Sequence, residues 1–330
     1  VNTDGSGFSI IKNLGTTTGE RPRSGLLESG GELVGATSAA GNFGGGTIFK
    51  LSTNGSGFSV IHHLPSGLGG AGFSGNLILS GSTFYGAMRG SLDELSARTF
   101  RVSSDGSDFT VLHTNTFPEG ISLNSGFVLS GNTLYGTTLG VNVDFSTVFK
   151  VNTDGTGYVV LKEFLFNDEF LFTDGSSPTA GLVLSGDTLY GTTFDWGAFV
   201  GGSGTVFQIN TDGSDFTVLK HFNGSDGGGP TGNLVLDAGV LYGTTAGGGA
   251  LEVGTVFQLD LRPRLMIRRA GNGVLLSWPA YTTEYRLEQN PGLLPADWSS
   301  VDSTPSDDGT TRSVIVTPLD RARFYRLSDH

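Results

Sequence analysis

Apolar residues in this chain come in short runs, each closed by Gly, Asp, Asn or Ser, and the runs recur in a fixed order. One copy reads GLVLSG (181–186), TLYGTT (188–193), TVFQIN (205–210) and FTVLKHF (216–222). Short β-branched and aromatic runs between turn residues predict strands. The third run carries a leader phenylalanine at Phe49, Phe100, Phe149, Phe207 and Phe257, at intervals of 51, 49, 58 and 50 residues. A period near 50 that holds four strands predicts a propeller blade or a related β array.

Two of the four connections are tight. SGD, SGN or SGS joins the first run to the second. TDGS or its variants joins the third to the fourth, which makes Asp4, Asn54, Asp105, Asp154 and Asp212 turn residues. Their side chains can bond their own backbone, and the following Gly takes the left-handed position. The other two connections are long and variable. The runs GLLESG, NLILSG, GFVLSG, GLVLSG and NLVLDA are apolar at consecutive positions and suit the axis, whereas FSVIHHL and FTVLKHF alternate with Lys or His and suit the rim.

The first copy, VNTDGSGFSIIKNL (1–14), begins in mid-phrase. Its FSIIKNL (8–14) is a rim strand without a blade, while residues 232–261 supply three strands and no fourth. The expected fold is therefore all-β: a five-bladed β-propeller over residues 1–261, closed by the N- and C-terminal strands in one blade. A small β-sandwich follows over 262–330, with a Pro-bearing junction at Leu261-Arg262-Pro263. Its six candidate strands are LMIRRAG, GVLLSWPA, EYRLEQN, DWSSV, RSVIVTPL and ARFYRLSD.

The repeats are written as L-x-L-S-G-x-T-L-Y-G-T-T, a Gly-rich loop, then T-V-F-K-x-N-T-D-G-S-G-F-T-V-L. In this they resemble the GloVer-type tandem repeat, over nearly four-fifths of the chain. The layout is more distantly similar to YWTD-type propellers. Trp278, Tyr285 and the closing FYRL resemble a fibronectin type III module. The GloVer-type resemblance implies an exported bacterial surface protein of unassigned activity, and it brings no catalytic residues. Copies depart from the pattern at LVGAT (33–37), at FYGAM (84–88) and in the insertion after Phe164.

Composition narrows the function. The 330 residues include 54 Gly and 23 Phe with 15% charged residues, as in a turn-rich soluble β protein. No apolar run is long enough to span a bilayer, and without a signal peptide or C-terminal anchor the chain reads as a mature or trimmed form. The net charge of −12 falls wholly on the repeats, because residues 263–330 hold eight Arg and eight acidic residues. That disfavours nucleic acid or an anionic membrane as partner. With no cysteine there is no disulfide, thiolate metal site or thiol nucleophile.

No constellation in the sequence carries chemistry. The turn acids lack the ligand spacing of a calcium loop. His62, His63, His113 and His221 fall on rim strands without a matching carboxylate or thiolate. The Gly-rich stretches at 41–46 and 201–204 lack the Gly-Lys-Ser/Thr ending of a phosphate cradle. The axial strands are interrupted only by Glu28 and Asp237, too few acids for glycosidase or lyase chemistry, and no G-x-S-x-G elbow occurs. No metal or cofactor is expected.

What remains is the face where both long connections emerge. Its richest part comes from 140–145, 165–177 and 194–204, where aromatics and acids interleave. The expectation is a non-enzymatic extracellular or cell-surface protein that binds a glycan or protein there. Trp196 is the anchor, Phe170, Phe172 and Phe145 lie beside it, and Asp144, Asp168, Asp174 and Asp195 fix orientation. The alternatives are packing of these aromatics over their own loops, a structural subunit that self-associates through its terminal strands, and a carbohydrate-active enzyme on the same scaffold.

Overall fold

The computed structural model describes residues 6–66, 72–89, 96–116, 118–123, 125–140, 145–165, 173–197, 202–279, 285–292, 297–301, 303–307, 311–317 and 323–328. The chain is all-β, with no α-helix among these residues, and divides into two compact units: Val1–Asp237 with Leu241–Gln258, and Ala238–Val240 with Leu259–His330.

The first unit is propeller-like, with five antiparallel sheets on one plan. The third sheet shows it: Val128–Ser130, Thr133–Thr138, Ser146–Asn152 and Val159–Phe164 pair in chain order. The second sheet (Phe73–Ser80, Thr83–Met88, Ser96–Ser103, Thr110–Thr116) and the fourth (Val183–Ser185, Thr188–Thr193, Thr205–Asn210, Thr217–His221) match it. The first sheet adds Glu20–Pro22, which pairs with Glu32–Ala39 beyond Leu27–Ser29. Each third-to-outer hairpin turns on an Asx residue, as read from TDGS: Ser56, Ser107, Thr156 and Ser214 donate their N–H to Asn54, Asp105, Asp154 and Asp212 at 2.8–2.9 Å. Asp4 lies outside the described residues.

The sheets pack face to face through the leader phenylalanines and their neighbours. Val34, Ile48 and Leu64 of the first sheet meet Leu77, Phe84 and Phe100 of the second. Tyr85 and Leu112 meet Phe127, Leu134 and Phe149 of the third. Tyr135, Val148 and Phe164 meet Leu182, Leu189 and Phe207 of the fourth. Between the third and outer strands the register slips by one residue at the same place in four sheets, beside Phe49, Phe100, Phe149 and Phe207. This bulge leaves Ile61, Leu112 and Leu161 without a cross-strand partner. Each bulged residue lies against the turn glycine of the next sheet, namely Gly106, Gly155 and Gly213, and at the first two a Cβ would press on it. The turn glycine thus has two reasons to be glycine, its positive φ (Gly155, +90°) and its contact with the preceding sheet.

A second link runs along the rim. The residue after each bulge lies over the aromatic that opens the next outer strand: His62 over Phe109 at 4.9 Å, His113 over Tyr158 at 3.6 Å, Lys162 over Phe216 at 4.4 Å. These are ring stacking for histidine and cation–π contacts for lysine. Residues 8–14 make the same two links to the first sheet, with Ile11 against Gly55 and Lys12 4.2 Å from the Phe58 centroid. Residues 6–15 nevertheless carry no strand. The expected rim strand has the position of an outer strand without its ladder.

The fifth sheet explains why. Val240–Gly247 pairs with Gly228–Pro230, Val235–Asp237 and Thr255–Asp260, and among the described residues Thr255–Asp260 has no partner on its other edge. Its outward face is bare. Val256 is 83% exposed, whereas Ile48, Val148 and Val206 at the same repeat position are 0% exposed. Val235, Tyr242, Phe8 and Ile10 are exposed as well.

The second unit holds two sheets. One contains Met266–Ala270, Gly273–Pro279, Thr311–Val316 and Ser306–Asp307; the other contains Ser299–Ser300, Arg286–Asn290 and Phe324–Ser328. Leu276, Trp278, Val314 and Val316 of the first share a core with Leu287, Tyr325 and Leu327 of the second.

Candidate functional site

Both long connections of every sheet leave from the end opposite the Asx turns. There the second strand hands over to the third through a buried threonine pair: Thr37–Thr47 at 3.1 Å, Thr138–Thr147 and Thr193–Thr205 at 2.8 Å, Thr245–Thr255 at 2.9 Å. A glycine from the preceding loop (Gly19, Gly120, Gly175, Gly227) packs on each pair, in space a side chain cannot share. The residue before it accepts a threonine hydroxyl on its carbonyl, Thr47 to Thr18 at 2.8 Å and Thr205 to Asp174 at 3.2 Å. Its side chain then reaches back to the outer strand it came from. Glu119 meets His113 at 3.0 Å, Asp174 meets Lys162 at 2.5 Å and Asp226 meets Lys220.

Asp174, expected to orient a ligand, is therefore committed to closing its own loop. Burial lowers the pKa of His221, and the charge of Asp174 offsets this in part. Asp195 exchanges backbone hydrogen bonds with Ser176 at 2.8 and 3.2 Å. Burial pushes its carboxyl pKa up, and a hydrogen bond from Ser177 partly offsets this. Trp196 is held by its N–H on Gly202 O and its carbonyl under Gly204 N–H, both at 2.9 Å. Its φ is +63°, the left-handed position that sister loops give to Ala40 and Gly248. The indole is half-buried, and the next residue, Gly197, lies beside His221 Nδ1. One loop cluster thus gathers Trp196, Asp195, Asp174 and His221 around the Thr193–Thr205 pair.

Phe145 is half-buried at φ +61° in the corresponding loop of the third sheet. Asp144, Asp168, Phe170 and Phe172 lie outside the described residues. His62 and His113 serve the rim stacks, and His63 Nδ1 accepts the Asn42 N–H at 3.1 Å.

A second concave site escaped the sequence reading. Residues at or just before the inner strands of all five sheets line one cavity of about 300 Å3, with Leu26, Leu77, Phe127 and Leu182 beside Asn76 and Asn233. Asn76 and Asn233 each accept a backbone N–H from the neighbouring sheet, Gly25 and Gly181, at 2.8 Å. Toward the long-loop end the lining turns polar and encloses about 340 Å3, with Arg23, Ser74, Thr179 and Thr231 from one repeat position, joined by Arg89 and Ser125. Each of the first four stands three residues before the leading leucine of its inner run, so the repeat register could have grouped them.

The family described as the Gloeobacter/Verrucomicrobia repeat matches residues 80–267. No curated protein matches the chain. Similar solved structures are propeller-like. A chain of a nidogen/laminin complex is 18% identical, with 70% of this chain and 81% of that one covered and a TM-score of 0.41. An oligogalacturonate lyase in complex with manganese is 12% identical, with 75% and 70% covered and a TM-score of 0.44. TolB from Acinetobacter baumannii is 13% identical, with 71% and 57% covered and a TM-score of 0.41.

Proposed function

The chain belongs to the Gloeobacter/Verrucomicrobia repeat family, and from that premise we propose a non-enzymatic binding protein of the bacterial exterior whose long-loop face contacts a glycan or protein. One observation carries this reading. Trp196 stands half-exposed at a loop position where its sister loops hold Ala40 and Gly248. A bulky aromatic at a left-handed position is strained, and this one keeps part of its surface in solvent, which is the pattern of a residue kept for contact. The test is a glycan array, then titration of Trp196→Ala against any hit. The variant loses about 2 kcal/mol of binding and melts like the parent; normal binding, or unfolding, removes the assignment.

We further propose that the five sheets are the blades of one closed propeller, with residues 8–14 as the outer strand of the fifth and the second unit a separate domain. Support comes from the rim links. Ile11 and Lys12 already dock on the first sheet as outer-strand residues do. Pairing of 8–14 with Thr255–Asp260 would put Phe8 next to Lys220, which meets no aromatic of a following sheet among the described residues. It would also cover Val256. The same two surfaces support a second reading, a subunit that gives its 8–14 segment to a neighbour, since edge pairing is blind to which chain it joins. Light-scattering mass separates them: closure gives a monomer with or without residues 1–14, and exchange gives an assembly that falls apart on their removal.

A further inference from the structure

We propose that the long-loop mouth of the axial cavity binds a small oxyanion, a carboxylate or phosphate on a ligand of monosaccharide size, between Arg23 and Arg89. The site is separate from the Trp196 loop and does not depend on it.

The argument starts from charge. The repeats carry the whole net charge of −12, so their field repels anions. Yet, among the described residues, the mouth is lined by two arginines and no acid. Both are exposed, and among the described residues no carboxylate pairs with either guanidinium. Elsewhere Lys50, Lys162, Lys220 and Arg262 all have acidic partners. Two unpaired guanidinium groups in one concavity repel each other, and an anion between them removes that cost while satisfying their forked donors.

The neutral groups of the mouth also favour an acceptor-rich guest. Asn76 and Asn233 spend their carbonyl oxygens on Gly25 and Gly181 N–H groups, which leaves amide NH2 donors over. Thr179 Oγ1 is buried without a partner, a state that a ligand oxygen would relieve. The volume of about 340 Å3 lies within the span of small-molecule sites, about 300–1,000 Å3. The apolar floor at Leu26, Leu77, Phe127 and Leu182 suits a sugar-ring face or a short carbon chain.

The test uses the full chain and calorimetric titration with D-glucuronate, D-glucose 6-phosphate and neutral D-glucose. At least one anion binds and glucose does not. A preference for glucuronate identifies a carboxylate site, and the reverse a phosphate site. Raising ionic strength from about 0.01 to 0.1 M, which shortens the Debye length from about 30 to 10 Å, weakens binding. Arg23→Gln and Arg89→Gln each lower affinity about tenfold or more, as loss of a charge-assisted pair does. Arg23→Lys retains part of it, Thr179→Val weakens it without lowering the melting temperature, and Arg264→Gln, in the second unit and not among the lining residues, changes nothing. Anions that bind no better than glucose, salt-independent binding, or glutamine variants that bind like the parent overturn the proposal.

Discussion

Val206→Asp and Val256→Asp are one chemical change at one repeat position of two sheets, and their difference measures whether the fifth sheet is covered. Val206 is 0% exposed. Replacing it forfeits the transfer energy of a buried valine, about 1.5–3 kcal/mol. It also buries a carboxyl with no partner, which adds about 1–3 kcal/mol even in its neutral form. The sum, about 3 kcal/mol or more, is a large part of a domain stability of about 5–15 kcal/mol. Val256 is 83% exposed, and on an open sheet the same change costs within about 0.5 kcal/mol. Closure by residues 8–14 buries it, so we expect Val256→Asp to cost about 2 kcal/mol or more. Urea titration followed by circular dichroism reads both variants. If Val206→Asp unfolds the repeats while Val256→Asp matches the parent, the fifth sheet is open and the closure argument fails.

Gly175→Ala and Gly31→Ala separate backbone strain from crowding: both have φ above +80°, but an added methyl at Gly31 meets nothing within 4 Å while at Gly175 it overlaps Thr193. Denaturant melts are expected to show about 1–2 kcal/mol for the first-sheet turn and about 3 kcal/mol or more for Gly175. Asp154 has its pKa lowered by hydrogen bonds from the side chain and backbone of Thr156. A depressed carboxyl gives stability that is present above its unfolded value and lost as pH falls through the folded one. Asp154→Asn keeps the turn, since Asn54 makes the same bond, so the parent's advantage over it should shrink below about pH 4; an advantage unchanged down to pH 2 would contradict this.

Period, strand order and hairpin turns were legible because each is local. Tyr-Gly-Thr-Thr, Asp-Gly and the leader phenylalanine each specify their own strand or turn, and most copies repeat the statement. Residues 8–14 show the limit of such reading. FSIIKNL has the composition of every other outer strand, but a strand exists only when its edge is paired, and that pairing is set by a segment far away in sequence. The rim histidines show another limit. Read singly, His62 and His113 are exposed positions on alternating strands. Only the register of neighbouring sheets puts them on Phe109 and Tyr158. The signal was present in the aromatic four residues before each of Lys12, His62, His113, Lys162 and Lys220.

The candidate site failed to show for a related reason. Loop length and aromatic content point to 140–145, 165–177 and 194–204. Asp174 within them proves to be scaffold, tied to Lys162 and the Thr205 hydroxyl. The axial mouth has the opposite character. Arg23, Ser74, Thr179 and Thr231 are short polar residues or arginine from four of the repeats, ordinary when read singly and separated by 51, 105 and 52 residues. The packing of the sheets turns that spacing into adjacency, because residues at the start of the inner strands border the same cavities. In such a scaffold a site can therefore be written at one residue per repeat, and variation at a fixed register position is a better guide to it than the richness of any single loop.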